Sequence, residues 1–356
     1  MDKYIGMDVD DKKIVACGMR QDGSEAYETL GPTVEAMRAY VRRQQEEGVR
    51  VHLAFEISGQ AGYLHDALVD EVASVQVANP TQATWIYRTP KKNDRLDARK
   101  LALLMRFGEL PRVHMPAKEG RQWRAMIGHR AKRVHQQTRA KNRIRAVLKE
   151  QGIRRPAYKG GWWNQANRAW MASLAQGGDW MEESWRFRLG QWLGELRMVE
   201  GQIAQVTRRL DAYLARHPGG ALLQTAPGIG PRTAEALLAY TDDVERFRTA
   251  KQYCGYFGVT PKLDESGSTR RLGHISKQGP AVARWLLCES AWRAIRYSAG
   301  LRAFFDRVTA GQTGRRKIAI VAVARKLLCI VRAMLRSGEA FNEALVRKVV
   351  RQSEAA

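Results

Sequence analysis

The N-terminal third of the chain alternates short β-rich runs with helical patterns, and this succession constrains the fold more than any other feature. Three β-rich runs between residues 3 and 30 are separated by tight turns, which predicts an antiparallel meander. Apolar residues at helical spacing then predict a helix over 32–47. The remaining patterns predict a strand, a short helix, a strand and further helices at 50–56, 63–71, 74–79 and 81–107. The predicted element order is βββαβαβα.

This order is the succession of the ribonuclease H-like fold, an α/β domain in which parallel strands extend an antiparallel meander. In such a sheet the ends of the first and fourth strands are adjacent. Asp8 ends the first predicted strand and Glu56 ends the fourth. Asp94 and Asp97 begin a later helix and share one of its faces, because they are three residues apart. The sequence therefore predicts four carboxylates at one edge of the sheet.

Converging carboxylates are typical of a site for a hard divalent cation. Mg²⁺ prefers oxygen ligands in octahedral geometry, and paired ions assist phosphoryl transfer by activating the attacking oxygen and stabilising the leaving oxygen. The four acids predict a Mg²⁺ site, with Mn²⁺ as the alternative ion. A simpler interpretation stays open for Asp94 and Asp97, because five lysines and arginines accompany them within 91–100 and could form an ordinary salt-bridged surface helix.

The charge of the chain indicates a polyanionic partner. It carries 60 Lys and Arg against 36 Asp and Glu, a formal net charge of +24, and such an excess binds nucleic acid through counterion release. Residues 1–120 hold 17 Lys and Arg against 18 acids, whereas 121–159 hold 13 against Glu150 alone. The predicted nucleic-acid contacts in this part are Lys91, Lys92, Arg121, Arg124, Arg130, Lys132, Arg133, Arg139, Lys141, Arg143 and Arg145.

Residues 117–216 are predicted to form a helical connection. Its first half has few helix breakers, and its second half repeats apolar residues at a 4-3 spacing that predicts either a helical hairpin or a self-associating coiled coil. A helix packed on its own chain is an equal alternative. The seam is Trp192, Leu196, Val199, Ile203, Val206, Leu210 and Tyr213. Tryptophans crowd the connection and are mostly predicted to be hydrophobic anchors, although they also suit base stacking: Trp162, Trp163, Trp170, Trp180 and Trp185.

A third region, 217–356, is predicted to be a mainly helical C-terminal domain. Its string PGIGPRTA is typical of a helix-hairpin-helix, whose turn amides and following helix N-terminus bind phosphate. Gly228, Gly230 and Arg232 are therefore candidate nucleic-acid contacts, with a plain helix connector as the alternative. An apolar segment farther on, 317–335, is interrupted by two cations, Arg325 and Lys326, which argues against a membrane span. It is predicted to be a buried helix instead.

A loop near residue 266 is the second candidate catalytic element. Ser266 precedes a glycine and is followed by the cations Arg270, Arg271 and Lys277. Taken alone, the motif favours an ordinary turn. A serine that attacks a phosphodiester needs a flexible approach, nearby cations, and a base or metal to take its proton. The loop supplies the first two requirements, and a metal site elsewhere in the chain could supply the third.

The compartment is predicted to be the cytoplasm. The N-terminus lacks the layout of a signal peptide, and no apolar run approaches the roughly 20 residues that a membrane span needs. The four cysteines lie far apart without a C-x-x-C pair, which predicts buried thiols rather than a zinc site or a disulfide framework.

Five stretches resemble, in the same order, the motifs of DEDD transposases of the IS110 insertion-sequence family, in particular its IS1111 branch, with the pilin-gene invertases as relatives. They are YIGMDV, AFEISG, KNDRLDARKLA, PGIGPRTAEALLA and SGSTRRLGHISKQGP, so the resemblance covers nearly the whole chain. It implies a RuvC-like domain at 1–116, a coiled-coil connection at 117–216 and a C-terminal transposase domain at 217–356.

The resemblance also implies a mechanism. A non-coding bridge RNA from the element's own end would guide the enzyme to double-stranded donor and target DNA in a prokaryotic cytoplasm. Asp8, Glu56, Asp94 and Asp97 would bind Mg²⁺. Ser266, with Ser268 as the runner-up, would form a covalent 5′-phosphoserine link to cleaved DNA. The active site would be completed between the protomers of a homodimer or homotetramer.

Other functions fit parts of the sequence. A RuvC-like DNA junction endonuclease would hydrolyse its substrate with water and would need the four acids but no serine. A site-specific DNA invertase would use the same residues on a different arrangement of sites. A non-catalytic nucleic-acid-binding protein would need only the cations and the helix-hairpin-helix.

Overall fold

The computed structural model describes residues 1–79, 93–156, 160–179, 181–266, 269–344 and 346, and the side chains of 263–266 and 269–272 are not part of that description. Lys91, Lys92, Ser268 and Trp180 lie outside the described residues. The chain forms two compact units, Met1–Arg121 and Gln122–Ala356. The second unit contains both the helical connection and the C-terminal helices, which share one hydrophobic core. The finer division into three domains stays a prediction.

A five-stranded mixed sheet forms the centre of the first unit. Its spatial order is β3-β2-β1-β4-β5, in which β1 is antiparallel to β2 and parallel to β4. The strands are β1 Asp2–Val9, β2 Ile14–Arg20, β3 Glu25–Leu30, β4 Arg50–Glu56 and β5 Ser74–Ala78. The helices among the described residues of this unit are α1 Val34–Gln44, α2 Ala61–Leu68 and α3 Asp94–Arg106, with a 3-10 turn at Val69–Glu71. The predicted meander and the parallel strands that extend it are confirmed.

Strand alternation decides which helices cover each face of this sheet. Ile5 and Met7 point to one face, where they join a core with Met37 and Tyr40 of α1 and with side chains of α2. Gly6 lies between them and faces α3 on the other side. Helices therefore cover both faces, which explains why β2 is apolar and buried at every residue before Arg20.

The contact between Gly6 and α3 is a backbone contact. A Cβ at residue 6 would overlap the carbonyl oxygen of Ala98 and would lie 2.6 Å from the amide nitrogen of Ala102. Only glycine allows α3 to approach β1 so closely, and this approach determines where the acidic first turn of α3 lies.

Replacing Gly6 by alanine should therefore lower the free energy of unfolding by about 3 kcal/mol or more, since backbone atoms cannot move aside as a flexible side chain would. Chemical denaturation measures this loss. The matched control is Gly31→Ala in the same unit, where the nearest atom is 4.0 Å from the new Cβ, and its effect should stay within about 0.5 kcal/mol. Equal effects of the two substitutions would contradict this account of the packing.

In the second unit, two long helices form an antiparallel hairpin. They are α4, Lys118–Glu150, which begins in the first unit, and α6, Ser184–Arg216, with the short α5, Gln165–Leu174, between them. Three side-chain hydrogen bonds give the register: Arg130 Nε to Thr207 Oγ1 at 2.8 Å, Gln137 Nε2 to Glu200 Oε1 at 3.1 Å, and Arg188 Nη2 to Glu150 Oε2 at 3.0 Å.

The predicted apolar seam of α6 is used within this hairpin. Leu196 packs with Ile144 and Val147 of α4, while Val206 and Leu210 pack with Trp123 and Ile127. The helical hairpin is thus the alternative that the structure shows. The anchoring role of the tryptophans is confirmed for the four that are described, because Trp185 is buried and Trp162, Trp163 and Trp170 are half-buried against the same cluster.

Where the structure describes it, the remainder of the second unit is helical apart from one β-hairpin. The helices are α7 Pro218–Gln224, α8 Pro231–Thr241, α9 Ala250–Tyr256, α10 Ala281–Tyr297, α11 Ala299–Thr309 and α12 Arg316–Ser337, with a 3-10 turn at Thr313–Arg315. The strands are β6 Pro261–Ser266 and β7 Thr269–Ile275. As predicted, the apolar segment at 317–335 is a helix whose Val323, Leu327 and Val331 are fully buried.

The cysteines are only partly as predicted. Cys17 and Cys254 are buried thiols, whereas Cys288 and Cys329 are half-buried thiols. Among the helices in the described ranges, none is both long and apolar enough to cross a bilayer.

Candidate active site

Asp8 and Glu56 lie at the same edge of the sheet. Strands β1 and β4 are parallel neighbours whose register pairs Met7 with Phe55, so the next residue on each strand is one of the two acids. Both side chains are half-buried. The sequence placed these acids at adjacent strand ends, and the structure brings them there.

The other two acids lie in the first turn of α3. The side chain of Asn93 caps the helix by accepting a hydrogen bond from the amide of Arg95 at 3.0 Å. Asp94 and Asp97 follow this cap, where the helix dipole favours negative charge. Their position is set by the close contact between α3 and Gly6.

Lysines neutralise both acids of α3. Lys13 Nζ lies 2.7 Å from Asp94 Oδ2, and Lys100 Nζ lies 3.4 Å from Asp97 Oδ1. The hydrogen bond to Asp94 and its charge, with smaller contributions from Asp10 and Asp8, raise the pKa of Lys13. The ammonium group of Lys13 is therefore attracted to acids from both β1 and α3.

Sequence reasoning missed Lys13. It lies immediately before β2, in the connection that follows Asp8, and no pattern distinguishes it from the other lysines of the chain. Its proximity along the chain to Asp8 was the one signal that could have found it. Lys100, by contrast, was already recognised as one of the cations around Asp94 and Asp97.

The four carboxylates have the ligand chemistry that a hard divalent cation prefers, since all are oxygen donors, and they lie on elements that meet at one edge of the sheet. In the conformation described, no three acidic, histidine or cysteine side chains of the described ranges are arranged to hold a metal ion. In that conformation Asp94 Oδ2 faces the ammonium group of Lys13. The metal site stays a prediction.

Ser266 belongs to the second unit and is the last residue of β6. The backbone register pairs it with Thr269 of β7, so it lies at the tip of a β-hairpin. The predicted cations Arg270 and Arg271 follow on β7, opposite Glu265 and Asp264. Ser266, Arg270 and Arg271 are therefore on one short β-hairpin, where the sequence predicted a loop.

Close backbone contacts support the base of this hairpin. Gly258 and Gly279 both have left-handed backbone conformations, at φ +69° and +71°, and a Cβ on either would overlap a carbonyl oxygen, of Gln278 and Tyr256 respectively. Arg284 Nη1 donates to the carbonyl of Gln278 at 2.7 Å. The base is therefore tied to the end of α9 and the start of α10. The predicted contact Lys277 is exposed beside it.

The turn of the predicted helix-hairpin-helix packs against α10. Gly228 has φ +79°, and a Cβ there would overlap the carbonyl oxygen of Ser290. Gly230 is the residue before α8. Arg232 forms ion pairs with Asp211 and with Glu235, the second at 3.0 Å. Phosphate binding by this turn stays a prediction, and the described contacts of Gly228 and Arg232 lie within the unit.

Glu235 is a buried acid that the sequence did not single out. Its side chain is 2% exposed, and burial raises its pKa from 4.5 to about 7 despite the attraction of Arg232 and Arg130. As the pH rises from 4.5 to about 7, the unfolded chain loses the Glu235 proton while the folded chain keeps it. The contribution of Glu235 to the free energy of unfolding therefore falls across this pH range and stays constant above it.

At pH 8, Glu235→Gln should therefore raise the free energy of unfolding by up to about 3 kcal/mol over wild type, and the difference should fall towards zero at pH 4.5. Urea denaturation at the two pH values measures the difference directly. A variant whose advantage is the same at both would contradict the assignment.

The basic residues of α4 divide into two groups. Arg121, Arg124 and Arg130 point inwards: Arg124 Nε donates to the carbonyl of Ala239 at 2.7 Å, and Arg121 pairs with Asp66. Arg133 is half-buried and donates a hydrogen bond to Gln136. Lys141 and Arg145 each lie 5.4 Å from the centroid of the Trp163 ring. The remaining predicted contacts are exposed and share one helical face, because they are seven and four residues apart: Lys132, Arg139 and Arg143.

Two family models match the chain in the regions where these sites lie. A model described as the DEDD transposase of IS110 matches residues 5–152, and one described as the transposase of the IS116/IS110/IS902 family matches residues 220–306. The chain belongs to the IS110 family of transposases. The first match contains all four acids, and the second contains the Gly-x-Gly turn and Ser266.

Individual relatives agree with this membership. A transposase for insertion sequence element IS1111A from Coxiella burnetii is 25% identical over 349 residues, 96% of this chain and 91% of the relative. A probable family 20 transposase from Pseudomonas aeruginosa is 34% identical, but the match covers 36% of this chain and only 38% of that protein. A pilin gene-inverting protein from Moraxella lacunata is 33% identical over 43% of this chain and 47% of its own length.

Proposed function

We propose that this chain is a transposase that excises and inserts an insertion sequence by metal-dependent cleavage and exchange of DNA strands. The carrying observation is the placement of Asp8 and Glu56 at adjacent ends of parallel strands, with the acidic start of α3 packed across β1. This arrangement supports a RuvC-like interpretation of the first unit. Membership of a transposase family supplies the reaction class.

In this proposal Asp8, Glu56, Asp94 and Asp97 hold Mg²⁺. The ion would polarise the scissile phosphate and stabilise the charge that develops on its oxygens. The chain's own groups position it: the contact at Gly6 brings the first turn of α3 to β1, and the Asn93 cap fixes where that turn begins. Lys13 balances the negative charge of the cluster until the cation binds.

Ser266 would be the nucleophile. Its hydroxyl oxygen attacks phosphorus, the bond from phosphorus to the 3′ oxygen breaks, and the products are a 5′-phosphoserine and a free 3′ hydroxyl. The serine proton leaves to a base, and the departing 3′ oxygen gains a proton. Attack of another 3′ hydroxyl on the phosphoserine reverses these steps and joins the exchanged strands. Energy is conserved in the covalent link, so no nucleotide cofactor is required.

Nucleic-acid binding would involve the exposed face of α4 and a cationic cavity near its end. The cavity has a volume of about 470 Å³ and is lined by Arg145, Lys149, Arg154, Arg155 and Trp162 among others. Four cations and an indole in one concavity suit a phosphate backbone with a neighbouring base. These surfaces, together with the charge of +24, support binding of duplex DNA and of a guide RNA.

The acids and the serine belong to different compact units, and the proposal assigns them to different protomers of a homodimer or homotetramer. Each catalytic centre would then combine the acids of one subunit with the serine of another. Mixing an acid-deficient chain with a serine-deficient chain would restore activity under this arrangement.

The test of the overall function is reconstitution. Full-length protein is incubated with the flanking non-coding RNA of its element, donor DNA, target DNA and Mg²⁺, and junctions are sequenced. Joined donor and target DNA that depends on RNA and on the cation is the expected product. Products without RNA would remove the guide from the proposal, and the absence of any joined product at every cation and RNA tested would overturn the function.

The exposed face of α4 gives a separate prediction. Substituting Lys132, Arg139 and Arg143 together by alanine should weaken nucleic-acid binding at least about tenfold at low salt and lower the slope of log K against log salt by about 2.7 if each contacts a duplex phosphate. Binding titrations at several salt concentrations measure both quantities.

The matched control removes the same charge from exposed, ion-paired arginines of the second unit: Arg188, Arg302 and Arg336. Its affinity and its salt slope should stay near those of wild type. If both triple variants lose affinity equally, net charge rather than the face of α4 determines binding.

Site-specific DNA inversion is the second candidate, because a relative is named a pilin gene-inverting protein. The cleavage chemistry would be the same, and the arrangement of the two DNA sites would differ. A substrate with inverted sites on one molecule distinguishes the two, since an invertase flips the intervening segment while a transposase excises or joins its element.

A further inference from the structure

Two cysteines of the second unit face each other. Cys254 on α9 is 1% exposed, and Cys329 on α12 is half-buried. Their Sγ atoms are 3.8 Å apart, which is contact distance between sulfurs, and a disulfide requires about 2.05 Å. A movement of less than about 2 Å therefore separates the thiol pair from a covalent bond.

The surroundings favour a thiolate at Cys329. The hydrogen bond from Cys254 and the positive charges of Arg325, Lys326 and Arg332 lower the pKa of Cys329, while the same pairing and burial raise the pKa of Cys254. Thiolates, not thiols, attack disulfides. The two sulfurs thus differ in the way that an attacking and a resolving cysteine differ.

Cys329 is also reachable by a small molecule. It lines a cavity of about 340 Å³ together with Lys326, Ile330, Met334 and Phe341. Cys254 does not line it, although its sulfur is in contact with that of Cys329. A reagent that enters the cavity therefore meets the sulfur of Cys329, the more reactive of the two.

We propose that Cys329 is a thiol-oxidation site with Cys254 as its resolving partner, and that a low-molecular-weight disulfide such as glutathione disulfide links the two reversibly. The Cys329 thiolate attacks one sulfur of the reagent, forms a mixed disulfide and expels one thiolate. Cys254 then loses its proton and attacks Cys329 Sγ, and the second reagent thiolate leaves. Two electrons pass to the reagent, which becomes two thiols.

The bond would act on the base of the β6–β7 hairpin. The carbonyl of Cys254 accepts a hydrogen bond from the amide of Val259 at 3.2 Å, and the carbonyl of Thr260 accepts one from Ser276 at 2.9 Å. Drawing α9 towards α12 therefore shifts the residues from which β6 starts. The inference concerns the thiol pair and holds whether or not Ser266 is a nucleophile.

The test is peptide mapping of the full-length protein after equilibration in glutathione buffers of increasing oxidation, acid quenching and alkylation under denaturing conditions. The expected result is a peptide pair joined through Cys254 and Cys329, lacking two hydrogen atoms and reversed by dithiothreitol. Cys288, half-buried in α10 with a pKa raised by burial, serves as the internal control and should remain alkylatable.

Single variants order the two steps. Cys254→Ser should stop the reaction at a glutathione adduct on Cys329, and Cys329→Ser should leave Cys254 unmodified because it is buried. Wild-type protein in which both thiols stay alkylatable, or in which Cys329 keeps a glutathione adduct without a joined peptide, would overturn the proposal. The wild-type map decides the question even where a serine variant folds poorly.

Discussion

Ser266→Ala is expected to eliminate the covalent protein–DNA adduct and to reduce strand joining by a factor on the order of 10³ or more, comparable to the loss of other enzymes' nucleophiles. The physical reason is that alanine has no oxygen to form the phosphoserine link. The measurement is a denaturing gel of labelled DNA after incubation with guide RNA, target and Mg²⁺, with joined products quantified in parallel.

Two serines of the same region serve as controls. Ser268→Ala tests the runner-up position, and Ser276→Ala alters a half-buried serine at the base of the hairpin. Both should retain the adduct. An adduct that survives in Ser266→Ala and disappears in Ser268→Ala would transfer the role to Ser268. Wild-type cleavage by Ser266→Ala without any adduct would instead favour hydrolysis by water, as in a junction endonuclease.

Asp94→Asn and Asp97→Asn together should lower cleavage by a factor on the order of 10² or more and weaken cation binding, because two of the four proposed ligands lose their charge. The fold should persist. Each acid contributes about 0.3–1 kcal/mol through the helix dipole, and Asn93 still caps the helix. Isothermal titration with Mg²⁺ or Mn²⁺ and single-turnover cleavage measure the two losses, and urea denaturation measures stability.

Glu35→Gln is the matched control, since Glu35 also lies in the first turn of a helix in the same unit, at the start of α1. It should reproduce the small loss of stability without any loss of cation binding or cleavage. Full activity of the double variant in metal-dependent cleavage would remove α3 from the active site, and unchanged biological function would favour a protein that only binds nucleic acid.

The sheet of the first unit could be predicted because its signals are local. Strand alternation places Ile5 and Met7 in one core, and the helical spacing of Met37 and Tyr40 places α1 against them. The role of Gly6 could not be predicted, because the need for a glycine there comes from the packing of a helix that begins more than 80 residues later. The α4–α6 hairpin shows the same limit: a heptad pattern states which side of a helix is apolar but not which helix covers it.

The candidate site shows a similar division between residue type and geometry. Asp8 and Glu56 could be found because they end predicted strands, and Ser266 could be found because it lies in a predicted loop. The ion pair of Asp94 with Lys13 was not predictable, since it joins a β-turn to a helix across the sheet edge. The inward contacts of Arg124 and Arg130 were also not predictable, because an arginine-rich helix has the same composition whether its cations face solvent or neighbouring carbonyls.

Two of the hydrogen bonds that join α4 to α6 are the same number of residues apart on both helices. Arg130 and Gln137 are seven residues apart on one helix, and their partners Thr207 and Glu200 are seven apart on the other. Seven residues advance a helix by about 10 Å and nearly two full turns, so the side chains return to the same face. Seven residues in each helix therefore make up a segment of the hairpin about 10 Å long. Adding or removing one such segment in both helices at once would change the length of the hairpin without altering the faces that the two helices present.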